Sequence, residues 1–424
     1  VSASNLPVDE ARLWSDLMAL AQITEPNKPY TRRSFTPLFL EGRAWLKQRF
    51  ENSGLTTRID AGGNLIGRRP GATPGSGTIV IGSHSDTVPS GGRFDGTAGV
   101  LAALEVARAL DERGHVLNHD LEIIDCLAEE VSAFGLSCVG SRAIAGSLSE
   151  EMLAYIGPGG EPLGDALRRV GGDPSRFGEA KRADIAAYLE LHIEQGPVLE
   201  TEGIDLGIVE TIAGITRLEL TITGRADHAG TTPMHLRRDA LLAAAAIISA
   251  LRDLACEISD RGEGYFVATV AEMYVEPNAA NVIAGSVRLI VDARAERRAT
   301  MEYFVARLRE SMPDVASGAG AELATVAVLS DALPAVGDTA LCNALAEAAD
   351  ALGLTHRRMA SGAGHDAVHF SRIAPAAMVF TPCRGGRSHC PEEWVEPGEL
   401  AAGAAAMFGA IIAIDRAAPG KARG

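Results

Sequence analysis

Apolar positions along the chain alternate between two kinds of run. Short β-branched stretches such as Thr78-Ile-Val-Ile and Leu121-Glu-Ile-Ile predict buried strands, and longer runs with apolar residues every three or four positions predict helices. Residues 9–54 read as helical, with Ala11, Leu13, Leu17 and Leu20 followed by Phe39, Leu40, Trp45 and Leu46. The strand at Thr78 runs into a Gly-, Pro-, Ser- and Asp-rich loop at 82–96. A helix then begins at Thr97, with Val100, Leu101, Leu104, Ala107 and Leu110 on one face and Gly114 placed to end it. The strand from Leu121 leads directly into Glu129-Glu130. Strand, helix, strand in this order implies a right-handed crossover in a parallel sheet. His84, Asp95 and the Glu pair then share one sheet edge, at the carboxyl ends of strands, where ligands bind in open α/β sheets.

The texture alters near residue 214. Thr216-Arg-Leu-Glu-Leu-Thr-Ile-Thr alternates with period two; an Ala-rich helix follows at 238–254, then strands at 266–271 and 285–294, a helix at 300–312 and a strand at 322–329. This βαββαβ order is that of a small ferredoxin-like domain. The expected fold is therefore α/β: a mixed, largely parallel sheet flanked by helices, formed by residues 1–213 and 330–424, with an α+β domain inserted at 214–329.

With 424 residues, 46% of them hydrophobic and 22% charged, the chain has material for two folded domains. No apolar run is expected to reach bilayer length, and Val1-Ser-Ala-Ser-Asn lacks the basic flank and apolar core of a secretory leader. A net charge of −16 argues against nucleic acid and anionic membrane as partners. Six cysteines without a C-x-x-C pair fit a reducing cytoplasm.

Chemistry concentrates at strand ends. His84, Asp95, Glu129 or Glu130, His192 and His389 each lie at or just after a predicted strand, and Asp86, two residues after His84, is placed to accept its second ring N–H. Nitrogen and oxygen donors without thiolate suit Zn²⁺, Mn²⁺, Co²⁺ or Ni²⁺. Five donors exceed what one catalytic zinc takes from protein, and two cations sharing a carboxylate would account for them.

Gly-Ser-His84-Ser-Asp-Thr-Val-Pro, Gly-Gly-Arg-Phe-Asp95-Gly, Ala-Glu129-Glu130, His192-Ile-Glu-Gln195-Gly-Pro, Ala-Asp-His228-Ala-Gly, Asn281-Val-Ile, Asp292-Ala-Arg294 and Ser-His389-Cys-Pro-Glu-Glu393 occur in order over residues 80–396. Jointly they resemble the M20-type metallohydrolases. The nearest branch is the amidase/hydantoinase-carbamoylase group of N-carbamoyl-L-amino acid hydrolases, β-ureidopropionases and allantoate amidohydrolases. The resemblance implies two divalent ions per subunit, zinc first, with Asp95 bridging, His84 and His192 completing one site, and Glu130 and His389 the other. Glu129 would be the general base, activating a hydroxide between the metals. His228 would stabilise the oxyanion, from a partner subunit in a homodimer whose inserted domain acts as lid and dimerisation domain. Gln195, Asn281 and Arg294 would bind a small carboxylate substrate, and His365 and Asp366 would stand behind the metals. A dipeptidase or N-acyl amino acid deacylase is the alternative within the family, and a metal-dependent binding protein without turnover the alternative outside it.

Two further features bear on this reading. Residues 361–367 fit G-x-G-x-x-A, but with no clear strand before them and no acid about twenty positions later a dinucleotide site is not expected. Many relatives follow the Glu pair with Gly-Ser/Ala-Arg-Phe, whereas this chain has Val131-Ser-Ala-Phe-Gly up to Arg142, in a loop that bears on substrate identity.

Overall fold

The computed structural model describes residues 6–417, so the leader reading of residues 1–5 lies outside it. Its strands are, in chain order, β1 (Thr56–Ile59), β2 (Leu65–Arg69), β3 (Thr78–His84), β4 (Asp120–Cys126), β5 (Ile185–Ile193), β6 (Leu206–Ile212) and β7 (Gly214–Thr223). There follow β8 (Phe266–Glu276), β9 (Ser286–Ala295), β10 (Glu322–Asp331), β11 (Ala335–Val336), β12 (His356–Ser361) and β13 (Ala376–Thr381). The chain divides into two compact units. One comprises residues up to Glu210, Val336–Met359 and His365 onward; the other comprises Thr211–Ala335 and Ala360–Gly364.

The first unit is built on a sheet of order β1-β2-β4-β3-β5-β13-β6-β11, with β12 paired to β6. Its centre, β4-β3-β5-β13, is parallel, and antiparallel strands flank it. Both faces of the central strands are buried, which is why their sequences read as continuous apolar runs. Ile79 and Ile81 of β3, with Leu189 and Leu191 of β5, face a core shared with helices Thr97–Glu112, Thr339–Ala351 and Pro397–Arg416. The alternate positions, including His84, Tyr188, Glu190 and His192, point to the opposite face.

The second unit is a four-stranded antiparallel sheet, order β10-β7-β9-β8. Helices Ala240–Asp260 and Arg298–Gly318 bury Leu218, Leu220, Leu289 and Val291 against Ile247, Leu251, Phe304 and Leu308. The order fourth-first-third-second within a βαββαβ run is the ferredoxin-like arrangement expected from the period-two pattern.

Several expectations are corrected. The 9–54 run is two helices, Glu10–Leu20 and Pro37–Asn52, separated by a loop carrying Pro26 and Pro29, neither of which can donate a helical N–H. The Thr78 strand does not stop at Ile81 but continues through His84. A strand, β12, does precede Gly362, and a four-residue helix, Ala367–Phe370, follows it. The position is still no phosphate site, because the Ala367 N–H donates to the buried Glu190 carboxylate at 3.2 Å. Finally, helix Pro397–Arg416 is long and apolar enough to cross a bilayer by composition, with a window of mean hydropathy 1.6. Here it packs in the core, burying Leu400, Ala404, Met407 and Ile411.

Candidate metal centre

The carboxyl ends of the parallel strands deliver the donors. His84 ends β3 and His192 lies at the end of β5, each 1% exposed. Asp95 comes from the loop before helix Thr97–Glu112, Glu129 and Glu130 from the segment after β4, and His389 from the loop after β13. Asp95 is the hub. Its Oδ1 lies 3.3 Å from His192 Nε2 and 3.5 Å from His84 Nε2, while its Oδ2 lies 3.0 Å from His389 Nε2. His389 Nε2 is in turn 3.1 Å from Glu130 Oε1. Two donor groups result, His84-Asp95-His192 and Asp95-Glu130-His389, each facing a different oxygen of one carboxylate. Glu129 belongs to neither; its Oε2 lies 3.6 Å from His84 Nε2.

This set fits divalent cations. Ligand bonds of about 2.1 Å in a tetrahedron put neighbouring donors about 3.4 Å apart, the range found around Asp95. The imidazoles are oriented for it: His84 Nδ1 meets the Asp86 carbonyl at 3.0 Å and His192 Nδ1 the Ile193 carbonyl at 2.9 Å, which turns both Nε2 atoms inward. Asp86 therefore supports His84 through its backbone rather than, as expected, through its carboxylate. That carboxylate stands 3.6 Å from the ring and accepts the Glu129 N–H at 3.2 Å instead.

Close approach and strained backbone accompany the cluster. Gly96 has φ +62°, and a Cβ there would lie 2.3 Å from the His84 ring. Ala128, Gln195 and His389 all adopt left-handed backbone, costly for residues with a Cβ. These turns aim the Glu pair, Gln195 and His389 at Asp95.

The electrostatics match a site built for cations. Burial works against ionising Asp95, yet His192, His389 and His84 hold it well below the usual carboxylate range. His389, beside Asp95 and Glu130, is pushed up to about 11. For His84 and His192 burial opposes the charge, and Asp86 and Asp95 for the first, Asp95 for the second, outweigh it, so both are raised. Burial raises Glu129 well above its ordinary value; His84 opposes, and Glu130, Asp366 and Asp95 add to the rise. Beneath His192, His365 packs edge-on at 4.6 Å between ring centroids, and burial followed by the His192 charge keeps it neutral. Asp366, held by Ser141, is raised to about 7 by burial and by Glu190.

Gln195, expected to meet the substrate, donates Nε2 to Asp95 Oδ2 at 2.8 Å and leaves its Oε1 buried without a partner. Four residues that shape the site carry no role in the sequence reading. Buried Arg32 ties the Ser85 carbonyl after β3 to Leu20 and Ile23. Buried Arg43 grips Asp125 at the end of β4 at 3.0 Å. Glu190 accepts from Ser83 and Tyr188 below the histidines. Glu393 closes the His389 motif and reaches back to the Asp95 loop. Period two on β5 could have flagged Glu190; no local signal marks the arginines.

In the second unit, exposed His228 accepts the Gly230 N–H at Nδ1, so the neutral ring carries its proton on Nε2. The Ala229 N–H donates to the Asn281 carbonyl at 2.9 Å, which joins the His228 and Asn281 loops. Arg294 donates Nε to Asp292 at 2.8 Å and Nη1 to the Gly362 carbonyl at 2.8 Å.

Residues 80–413 match the family model described as peptidase family M20/M25/M40. The chain belongs to this family. An N-carbamoyl-L-amino-acid amidohydrolase of Paenarthrobacter aurescens is 38% identical over 408 residues, 96% of this chain and 98% of that protein. An allantoate amidohydrolase of Bacillus subtilis is 36% identical over 381 residues, 89% and 90% of the two chains. A hydantoinase/carbamoylase family amidase from Burkholderia multivorans superposes with a TM-score of 0.86 at 37% identity, covering 96% of this chain and 98% of its own. This M20 protein is a hydrolase of the amidase branch, as its motifs imply, and its His and carboxylate clusters suit the divalent metals of the family.

Proposed function

We propose that this M20 enzyme hydrolyses a linear C–N bond of an N-carbamoyl amino acid or a related small ureido carboxylate. The observation that carries the reading is Asp95, whose two oxygens face two separate donor groups while Glu129, one residue from a donor, stays out of both. Divalent cations held there, zinc first by donor type, would polarise the scissile carbonyl and make water acidic enough to attack it.

Glu129 is the base that takes the proton from the attacking water and returns it to the leaving nitrogen as the C–N bond breaks. Its confinement favours the neutral acid between the two transfers. Buried His84 and His192 exclude water from behind the reacting group. The second unit acts as lid and dimerisation domain, and its His228 donates Nε2–H to the developing oxyanion, supplied across a homodimer. Arg294 keeps guanidinium N–H groups beyond those bound to Asp292 and Gly362, and with Asn281 takes the substrate carboxylate. Gln195 acts by holding Asp95. Six free cysteines agree with a cytoplasmic setting.

Release of ammonia from a panel of N-carbamoyl amino acids and allantoate, against product release from N-acyl amino acids and dipeptides, tests the proposal. Turnover of the ureido compounds with Co²⁺, Mn²⁺ or Zn²⁺ is expected. Turnover confined to dipeptides or N-acyl substrates would replace this reading with the peptidase or deacylase alternative.

A further inference from the structure

Two loops distant in sequence are tied together behind Asp95, and one side chain makes the tie. The Glu393 carboxylate is buried, and its Oε1 accepts the N–H of Phe94 at 2.8 Å and of Asp95 at 3.0 Å. The Ser388 hydroxyl stands between Glu393 Oε2 at 2.8 Å and Asp95 Oδ2 at 3.0 Å, with one proton to give to either. Ser388 also precedes His389, so the same contacts fix the loops that supply Asp95 and His389, two of the three donors of the Asp95-Glu130-His389 group. An apolar joint runs alongside: Trp14 stacks on Phe94 at 5.6 Å, and Trp394 meets both rings edge-on at 5.3 and 5.8 Å.

Gly92 supplies the room. A Cβ at that position would lie 1.9 Å from Glu393 Oε1, so the second glycine of Gly-Gly-Arg-Phe-Asp is required by a carboxylate some 300 positions later in the chain. A loop tie alone does not call for a charge. Burying a second carboxylate beside Asp95 is costly unless donors and nearby positive charge compensate it. The two N–H groups and the Ser388 hydroxyl meet part of that need, and cations at Asp95 would meet the rest.

We propose that Glu393 is a positioning residue that sets Asp95 and His389 at the spacing needed to hold divalent cations, and that Gly92 is the space it occupies. This rests on the metal-hydrolase reading above. The experiment uses the full chain, stripped with chelator and titrated with Co²⁺ by calorimetry and visible absorption, beside thermal melts of the metal-free protein. For Glu393→Ala and Gly92→Ala, Co²⁺ affinity is expected to fall about 10- to 100-fold, with an altered cobalt spectrum. Glu393→Gln, which keeps an oxygen for both N–H groups, is expected to recover part of the loss. Ser388→Ala, the mildest change, should lower affinity by a smaller factor.

If the parent binds Co²⁺ and the alanine variants bind it with the same affinity and spectrum, the positioning role is overturned and the metal reading stands. The role is equally overturned if affinity falls only where the metal-free protein no longer melts cooperatively, with the spectrum unchanged and no recovery by Glu393→Gln. A parent that binds no divalent cation removes both readings together.

Discussion

The polar residues of the two units are held in opposite ways. In the first unit His84 and His192 are part of hydrogen-bonded strands, are 1% exposed, and have one ring nitrogen each committed to backbone. In the second unit His228 and Asn281 lie exposed on joined loops outside the antiparallel sheet. A cluster that must hold charged groups at fixed spacing is built into a rigid core, because an imprecise site loses its cation. A donor needed only as charge develops can sit on a loop. Changes to the first unit's donors should therefore act on metal content and stability, whereas changes to Glu129, which joins neither donor group, and to the second unit should act on catalysis or substrate binding with metal retained.

The sharpest test of this contrast is Glu129→Gln, which keeps a similar shape without a titrating oxygen. A loss in kcat on the order of 10³ to 10⁴ is expected, with cation stoichiometry unchanged by elemental analysis. His228→Ala should cost on the order of 10² in kcat, again with full metal content. A comparable loss of metal in that variant would erase the distinction between the units.

Acid comes next. His389 at about 11 and raised His84 and His192 mean that protons and cations compete for the same nitrogens. A ligand must be deprotonated to bind, so affinity should rise with pH and fall on acidification, by about tenfold per pH unit for each proton displaced. Calorimetry of Co²⁺ binding in buffers of different ionisation enthalpy should register net proton release. Arg294→Lys replaces a planar fork by a point charge and should raise KM about tenfold for carboxylate substrates, with little change for the corresponding amides.

The smallest effect lies away from the site. Asp415, at the end of helix Pro397–Arg416, accepts the N–H groups of Asn118 and His119 at 3.0 and 2.9 Å and the His119 ring at 2.8 Å. Burial opposes its ionisation, but these bonds, backbone first, lower its pKa below 3.8. A lowered folded pKa gives stability that is present above about pH 4 and lost as pH falls through the folded value. Asp415→Asn should cost about 1–2 kcal/mol in thermal melts at pH 7, with the difference from the parent narrowing in acid.

Part of the site is legible in the order of residues alone. The donors fall at strand ends, their types favour divalent metals, and period two against period 3.6 separates the inserted α+β segment from its host. Adjacent motif residues carry the resemblance because a strand end followed by a tight turn is a local device. The helical reading of residues 9–54 fails because apolar spacing persists across a loop that two prolines interrupt. β12 escapes notice because only Ser361 among its six residues is fully buried, which leaves little apolar signature.

By itself the amino-acid order determined which side chains can bind a cation, most of the strands and helices, and that two kinds of sheet are present. These follow from side-chain chemistry and from backbone periodicity within a few residues. The motif resemblance already implied Asp95 as the shared donor and Glu130 rather than Glu129 as a ligand. Only the tertiary structure decided that Asp95 turns one oxygen to His84 and His192 and the other to His389, that Gln195 donates to Asp95, and that Glu393 reaches back to the Asp95 loop. Those choices depend on distances between groups up to about 300 residues apart, set by how four parallel strands align their ends, and no local pattern encodes them.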